Sequence, residues 1–295
     1  MIDYALLAAV AAIRRTGGFE KAGRELGITS SAVSQRVRLL EERLGVALVI
    51  RGQPCRTTEA GARLCQHYDQ VGLLEHTLNR ELGFDANDGT AAVLRIAVNA
   101  DSLATWFPDA MKEIDGRLFD IILDDERRNA DWLRKGEVSG AISASPGPLQ
   151  GCNSKMLGTM RYVATASATF MQRWFSEGIT EGALRSAPAL AYNADDEFNI
   201  RWVREALQLS LIPPTHWIPA PQALVRAAMD GIGWGMNPLP LVEAALRDGS
   251  LVELPPGLRL DVRLHWHWAR SVQHAMSDLT ASIVKAARLG LTAGL

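Results

Sequence analysis

The stretch between Gly27 and Gly45 constrains the fold more than any other part of the chain. Its apolar residues Val33, Val37 and Leu40 recur at i, i+4 and i+7, and Leu44 continues the series, so they predict one buried face of a helix. A glycine lies at each end of the segment. Short hydroxyl side chains crowd the start of this helix: Thr29, Ser30, Ser31 and Ser34.

Two shorter apolar repeats precede it, at residues 6–13 and 19–26, and each is followed by glycine. Three short helices with a glycine turn between the second and third predict a helix-turn-helix, whose third helix enters the major groove of DNA N-terminus first. Short hydroxyls and amides there allow a close approach to phosphates and base edges. The alternative is that the serines only cap a surface helix, which leaves the basic flank unexplained.

The basic flank is the excess of positive charge in the N-terminal part of the chain, which the chain as a whole does not share. Residues 1–65 hold ten basic and six acidic side chains, a net charge of +4, although the whole chain carries −2. Two extended pieces around Gln53-Pro54, residues 48–51 and 56–58, predict a β wing that brings arginines to the phosphates. The predicted DNA-contacting residues are Thr29, Ser30, Ser31, Ser34, Gln35, Arg36, Arg38, Arg51, Arg56 and Thr58.

A long helix follows the wing. Thr58 is placed to cap it, and an apolar stripe runs along it at spacings of three and four: Leu64, Tyr68, Val71, Leu74, Leu78 and Leu82. A stripe of this length requires a partner, and a second copy of the chain would supply one. The polar residues 85–90 then predict a hinge or linker.

From residue 92 short apolar runs alternate with helical segments, a pattern typical of a parallel α/β sheet. A second set of alternating elements indicates two lobes, with a ligand cleft at the carboxyl ends of the strands. The predicted strands are residues 93–98, 119–123, 139–143, 162–166, 189–192, 216–218, 233–236 and 262–268, and the predicted helices include 196–209 and 271–289.

Acidic residues follow the predicted strands, at residues 124–126 in the first lobe and 195–197 in the second. Carboxylates there would attract a cationic side chain and an α-ammonium group, whereas an acidic ligand would require Arg or Lys at these turns. Backbone N–H groups of residues 99–102, where a helix opens, offer a site for an α-carboxylate. The alternative is that Asp101 caps this helix and the other acids form a solvated rim.

Trp106 is a further candidate, since an indole ring packs on aliphatic or guanidinium groups, although its helical spacing favours a core position. The candidate ligand-binding residues are Asn99, Asp101, Ser102, Trp106, Asp124, Glu126, Asp195 and Gln222.

Other classes of protein receive little support. No motif places a Ser/His/Asp or Cys/His set, so we expect no enzyme and no cofactor. His265 and His267 share a strand face without an evident third ligand, so we expect no metal. Three cysteines without CxxC spacing fit a reducing compartment, and no run reaches the ~18 apolar residues of a membrane span, so we expect a cytoplasmic protein.

The chain resembles the LysR-type transcriptional regulators over essentially its whole length. The resemblance rests on FEKAGRELGITSSAVSQRVRLLEERLGVALVIR (residues 19–51) and TTEAG (57–61). Within that family it is similar to the regulators of lysine and arginine export, through VNADSLATW (98–106), DDERRNADWLRKGEVSGAIS (124–143) and HWHWA (265–269).

The resemblance implies an α+β chain in two parts. A winged helix-turn-helix (1–58) and a linker helix with its hinge (59–91) precede a two-lobe α/β effector domain like the periplasmic binding proteins (92–295; lobe I about 92–163 and 266–295, lobe II about 164–265). It implies dimerisation through residues 59–83, commonly a tetramer, and control of a promoter next to the target gene.

Our leading hypothesis is a regulator that binds operator DNA and responds to a basic amino acid by changing its contacts with promoter and RNA polymerase. Two alternatives stay open at this point. One is a replication-control or architectural DNA-binding protein with an empty cleft, and the other is a solute-binding or enzymatic module with an attached helix-turn-helix.

Overall fold

The protein is described by a computed structural model that covers residues 3–83, 92–147 and 149–293. The predicted hinge at residues 85–90 lies outside the described residues. Within them the chain forms a small helical domain, a long helix and a larger mixed α/β domain, as the resemblance implied.

The N-terminal domain consists of α1 (Tyr4–Thr16), α2 (Phe19–Leu26) and α3 (Ser30–Leu44). The α2 helix ends at Gly27, whose φ of 66° lies in the left-handed region that costs other residues about 1–2 kcal/mol. The predicted seam of α3 packs into a core with α1, except that Leu44 is 42% exposed. Leu44 belongs to the last turn of α3, beyond the reach of the small core.

The wing forms as predicted, from β1 (Val49–Ile50) paired antiparallel with β2 (Arg56–Thr57). The linker helix α4 (Glu59–Glu81) starts directly after it, and the Thr58 hydroxyl accepts a 3.1 Å hydrogen bond from the backbone N–H of Gly61. This is the predicted N-cap of the long helix.

The apolar stripe of α4 divides in two. Leu64 and Tyr68 pack against the N-terminal core, whereas Leu74, Leu78 and Leu82 are 41%, 53% and 57% exposed. Leu73, on another face, is buried in the core of the C-terminal domain. The exposed leucines therefore leave an apolar ridge on the second half of the helix.

Nine strands and nine α-helices make up the described part of the C-terminal domain. The strands are β3 (Ala92–Val98), β4 (Arg117–Leu123), β5 (Gly140–Ser143), β6 (Cys152–Ala166), β7 (Ala189–Ala191), β8 (Thr215–Trp217), β9 (Gly235–Pro238), β10 (Val252–Glu253) and β11 (Arg259–Ala269). The helices are α5 (Ala100–Ala104), α6 (Phe107–Met111), α7 (Asn129–Arg134), α8 (Ala168–Trp174), α9 (Glu181–Leu184), α10 (Phe198–Leu207), α11 (Pro221–Met229), α12 (Leu239–Asp248) and α13 (Ser277–Gly290), with a 3-10 turn at Arg270–Val272.

The predicted parallel sheet is only one part of a mixed sheet. Strands β4, β3 and β5 are parallel, but the main sheet continues through β11 and β6, which pair antiparallel along almost their full length, and β9 and β10 pair antiparallel with β6. The predicted strand at residues 162–166 is only the end of the 15-residue β6. These two long strands run from one half of the domain to the other, so both halves share them.

Candidate functional site

The start of α3 presents the predicted polar surface. Thr29 is the N-cap, and its hydroxyl accepts a 3.2 Å hydrogen bond from the N–H of Ala32 and lies 2.9 Å from the Ser31 hydroxyl. Ser30, Ser31 and Gln35 are exposed, whereas Ser34 and Arg36 are half-buried. Capping and DNA contact thus use the same few residues.

The arginines predicted to contact DNA differ in the contacts they make within the protein. Arg38 is exposed and pairs with Glu42 at 2.7 Å, and Arg51 lies over the Phe19 ring at 5.3 Å from its centre. Arg56 is exposed on the wing. Thr58 is occupied by structure, because besides capping α4 its hydroxyl donates a 2.8 Å hydrogen bond to the carbonyl of Ala47.

A cleft of about 780 Å³ lies where β3, β4 and β5 end, beside the middle of β6 and β11 and facing the loops of the second half. This volume is within the range of small-molecule sites. The polar residues that line the cleft include Asn99, Asp101, Asp124, Asp125, Glu126, Arg127, Tyr162, Tyr192, Asp196 and Glu197.

Three carboxylates form the inner acidic cluster, which we define as Asp101, Glu126 and Asp196. The Tyr162 hydroxyl donates a 2.5 Å hydrogen bond to Asp101, and Asp196 accepts from the backbone N–H groups of Tyr192 (2.9 Å) and of Phe198 (3.1 Å). In the part of the chain that the structure describes, no Lys or Arg nitrogen lies within 4.0 Å of these carboxylates.

Burial controls the chemistry of the cluster. It raises the pKa of Glu126 to about 7, with repulsion from Asp125 and Asp101 adding to the shift, and raises the pKa of Asp101 to about 6 despite the Tyr162 hydrogen bond. Burial also raises the pKa of Asp196, against the hydrogen bonds from two backbone amides. A cation entering here would stabilise the charged form of all three groups.

The acidic residues at the rim of the cleft form ion pairs with arginines of the same chain. Arg127 binds Asp125 at 3.0 Å, and its guanidinium reaches across to the carbonyl of Asp195 at 2.8 Å and to Glu197 at 3.5 Å. Asp125 follows β4, whereas Asp195 and Glu197 precede α10, so Arg127 joins the two walls of the cleft.

The neighbouring arginine makes a second bridge. Arg128 pairs with the carboxylate of Asp195 and lies 3.6 Å from Asp124, which accepts a 2.8 Å hydrogen bond from the Trp132 indole. Asp124 and Asp195, both predicted to contact ligand, therefore have cationic partners already. We call Arg127 and Arg128 with their four acidic partners the rim clasp.

The remaining predicted residues are spread more widely. Asn99 lines the cleft, but Ser102 is fully buried behind it with an unpaired hydroxyl. Trp106 is 2% exposed in the core and does not line the cleft. Gln222 is exposed on α11 and lies outside the lining, although its neighbour Pro221 is part of it. Asp101 is not the N-cap of α5, since Asn99 holds that position.

Sequence reasoning missed Tyr162 and the two arginines of the clasp. Tyr162 falls within an apolar strand, where a core role is the default, and only the fold brings it to Asp101. Arg127 and Arg128 were visible directly after Asp124 and Glu126, and arginines at such a turn signal that some of the acids are already paired.

Within residues 3–83, 92–147 and 149–293, no group of His, Cys, Asp and Glu side chains is arranged to hold a metal ion. His267 is fully buried and lies 3.1 Å from the Ser145 carbonyl through Nε2. Over the same residues no helix combines the length and the apolar character of a bilayer crossing.

Comparison with known proteins supports both halves of this description. The family described as bacterial regulatory helix-turn-helix protein, lysR family, matches residues 4–62, and the LysR substrate binding domain matches residues 87–288. The HTH-type transcriptional regulator ArgP of Pseudomonas aeruginosa is 39% identical over 295 residues, which span 99% of this chain and 98% of that protein.

Solved structures agree over the full length. ArgP from Mycobacterium tuberculosis has 38% identity and a TM-score of 0.82, with 100% of both chains covered. LysG from Corynebacterium glutamicum with bound effector Arg has 30% identity and a TM-score of 0.70, covering 99% of this chain and 100% of that one. The surface of α3, the wing and the two-walled cleft are thus parts of a DNA-binding transcriptional regulator, and the chain belongs to the LysR family.

Proposed function

We propose that the effector of this regulator is a basic amino acid, arginine or lysine, held in the cleft with its cationic groups at the inner acidic cluster. The observation that carries the proposal is the set of half-buried carboxylates without a cationic partner, Asp101, Glu126 and Asp196. The arginine-bound LysG structure, a relative with 30% identity, supports the same chemistry.

The rim clasp favours the inner acidic cluster over the rim acids as the site for the cationic groups of the ligand. Because Arg127 and Arg128 already neutralise acids at the mouth, a cationic ligand gains most from the inner cluster, where desolvated carboxylates make the strongest charge-assisted hydrogen bonds. Docking of the α-carboxylate on the backbone of residues 99–102 stays a prediction.

On the DNA side we propose a pseudo-palindromic operator read by α3 and the wing of two copies. The exposed ridge of Leu74, Leu78 and Leu82 supports pairing of α4 with a second chain, and a tetramer would pair two such dimers. We propose that the operator controls an amino-acid exporter gene from the cytoplasm, and that effector binding changes the contacts with RNA polymerase.

The ligand is tested by calorimetric titration at pH 8 with arginine, lysine and citrulline, which replaces the guanidinium by a neutral urea. Arginine or lysine should bind, and citrulline should not. Asp101→Asn should weaken the binding of the cationic amino acid at least tenfold. Glu243→Gln is the control, because this acid pairs with Arg247 on α12 and neither residue lines the cleft. Equal binding of citrulline and arginine would contradict the proposal.

The regulatory role is tested by DNase footprinting on the region upstream of the neighbouring genes. We expect protection of one promoter, with a pattern that changes when the effector is added. Broad protection that ignores amino acids would instead support the architectural alternative.

A further inference from the structure

The inner acidic cluster differs from the rim acids of the cleft because none of its described carboxylates forms an ion pair with Lys or Arg. Its three carboxylates come from separate elements: Asp101 from α5, Glu126 from the loop after β4, and Asp196 from the loop before α10. Glu126 and Asp196 both lie close enough to Asp101 for their negative charges to repel its carboxylate. Three desolvated negative charges without a cation are costly, and the cluster can lower that cost by binding protons.

We propose that the effector-free cleft holds protons on the inner acidic cluster, and that a cationic effector displaces them into solvent, so that sensing is coupled to pH. This rests on the proposed function, because it requires a basic amino acid as the effector. Charge is conserved in this exchange, because the ligand brings positive charge into the cleft and the carboxyl groups release H⁺ to the buffer.

The surroundings of the cluster favour this exchange. Tyr162 donates to Asp101, and Tyr192 faces the same acid from the end of β7. Arg127 is the cation whose charge lowers the pKa of both Glu126 and Asp196, but its guanidinium is engaged by the rim acids. The charged and titratable groups that face the cluster are Asp125, Arg127, Tyr162, Tyr192 and the three carboxylates themselves.

The direction of the coupling follows from the raised pKa values, about 7 for Glu126 and about 6 for Asp101. Below these values the groups are protonated in the empty cleft, so a cation must first expel protons and its apparent affinity falls. Above them the carboxylates are charged and affinity is constant. Treating the two groups as independent, binding should be about 20-fold weaker at pH 6 than at pH 8.

Proton release can be counted by titrating the full-length protein with arginine at pH 6.5 in two buffers of different ionisation enthalpy, phosphate and ACES. The difference in apparent enthalpy gives the number of protons released, and about one per arginine is expected. The affinity is then measured from pH 6 to pH 8 in the same way.

Two variants should shift the number of protons released on arginine binding in opposite directions. Glu126→Gln should reduce the release at pH 6.5 to about a quarter of a proton and the pH 6 to 8 change in affinity to about twofold, because only Asp101 still titrates there. Tyr162→Phe removes the hydrogen bond that favours charged Asp101, so it should increase proton release at pH 7. Glu243→Gln, whose partner Arg247 also lies outside the cleft lining, should behave as the unaltered protein.

Failure of this inference and failure of the proposed function differ in outcome. Arginine binding at pH 8 that is equally tight at pH 6, with no proton release, would overturn proton coupling and leave the effector assignment intact. Absence of arginine and lysine binding at every pH would overturn both.

Discussion

A guanidinium nitrogen of Arg127 donates a 2.8 Å hydrogen bond to the backbone carbonyl of Asp195 across the mouth of the cleft. The two residues lie 68 positions apart, on loops that follow β4 and precede α10. Together with Arg128 this contact joins the two walls without ligand. The two walls are therefore joined at the rim by largely exposed ion pairs, each of which contributes little energy.

Replacing both clasp arginines, Arg127→Gln with Arg128→Gln, should change the free energy of unfolding by only about 1 kcal/mol, since both side chains are more than half exposed. It should widen the distance distribution between spin labels placed on the two walls, as measured by pulsed electron resonance. Arg185→Gln breaks a pair within the second half, with Glu181, and should leave that distribution unchanged. An unchanged distribution in the double variant would show that the clasp does not hold the walls together.

Glu126→Gln should stabilise the effector-free protein at neutral and higher pH. The folded-state pKa of Glu126, about 7, lies above its unfolded value, so between these values the folded state binds more protons and stability falls as the pH rises. Removing the charge removes that loss. Thermal unfolding should show a higher Tm for the variant at pH 8 and almost none of that gain at pH 4.5; a lower Tm at pH 8 would contradict the expectation.

Trp106 is predicted to support the fold and not the ligand. Its ring is buried and meets Phe107 edge-on at 5.9 Å, and a Cβ on Gly290 would lie 2.4 Å from its own Cβ. Trp106→Ala should cost about 3–5 kcal/mol in chemical denaturation. Trp106→Phe retains an aromatic side chain, and its arginine affinity should equal that of the unaltered protein. Selective loss of arginine affinity in Trp106→Phe would place the indole in the site.

Two glycines of α4 should respond oppositely to alanine. A Cβ at Gly61 would lie 2.1 Å from the carbonyl oxygen of Leu48, so Gly61→Ala must push the helix away from the wing and lower both stability and DNA affinity. At Gly72 nothing lies within 4 Å, so Gly72→Ala should raise stability by about 0.5–1 kcal/mol through helix propensity. Denaturation curves and gel shifts measure both effects, and a neutral Gly61→Ala would disprove the close approach.

Arg36→Ala should weaken operator binding without affecting the effector. If Arg36 contacts a phosphate, the slope of log affinity against log salt should decrease in magnitude by about 1, and arginine affinity should be unchanged. Fluorescence anisotropy with operator DNA between 50 and 300 mM salt measures the slope. Arg226→Ala, an exposed arginine of α11 paired with Asp230, is the control. A slope equal to that of the control would remove Arg36 from the interface.

The sequence by itself determined the elements whose signals are local. Helical periodicity, a glycine stop and a capping threonine lie within a few residues of one another in α3 and at the start of α4, so their positions could be predicted almost to the residue. The position of Asp124 and Glu126 after a strand was predictable for the same reason, because the strand and the acids are adjacent.

Only the tertiary structure decided which of these acids are free. Pairing of Arg128 with Asp195, the hydrogen bond from Tyr162 to Asp101 and the antiparallel union of β6 with β11 join residues that are 60 or more positions apart. Such contacts leave no periodic trace in the sequence, because they depend on how whole elements pack. Burial and charge pairing, which set the pKa of each carboxylate, are therefore properties of the assembled cleft and not of the residues taken in order.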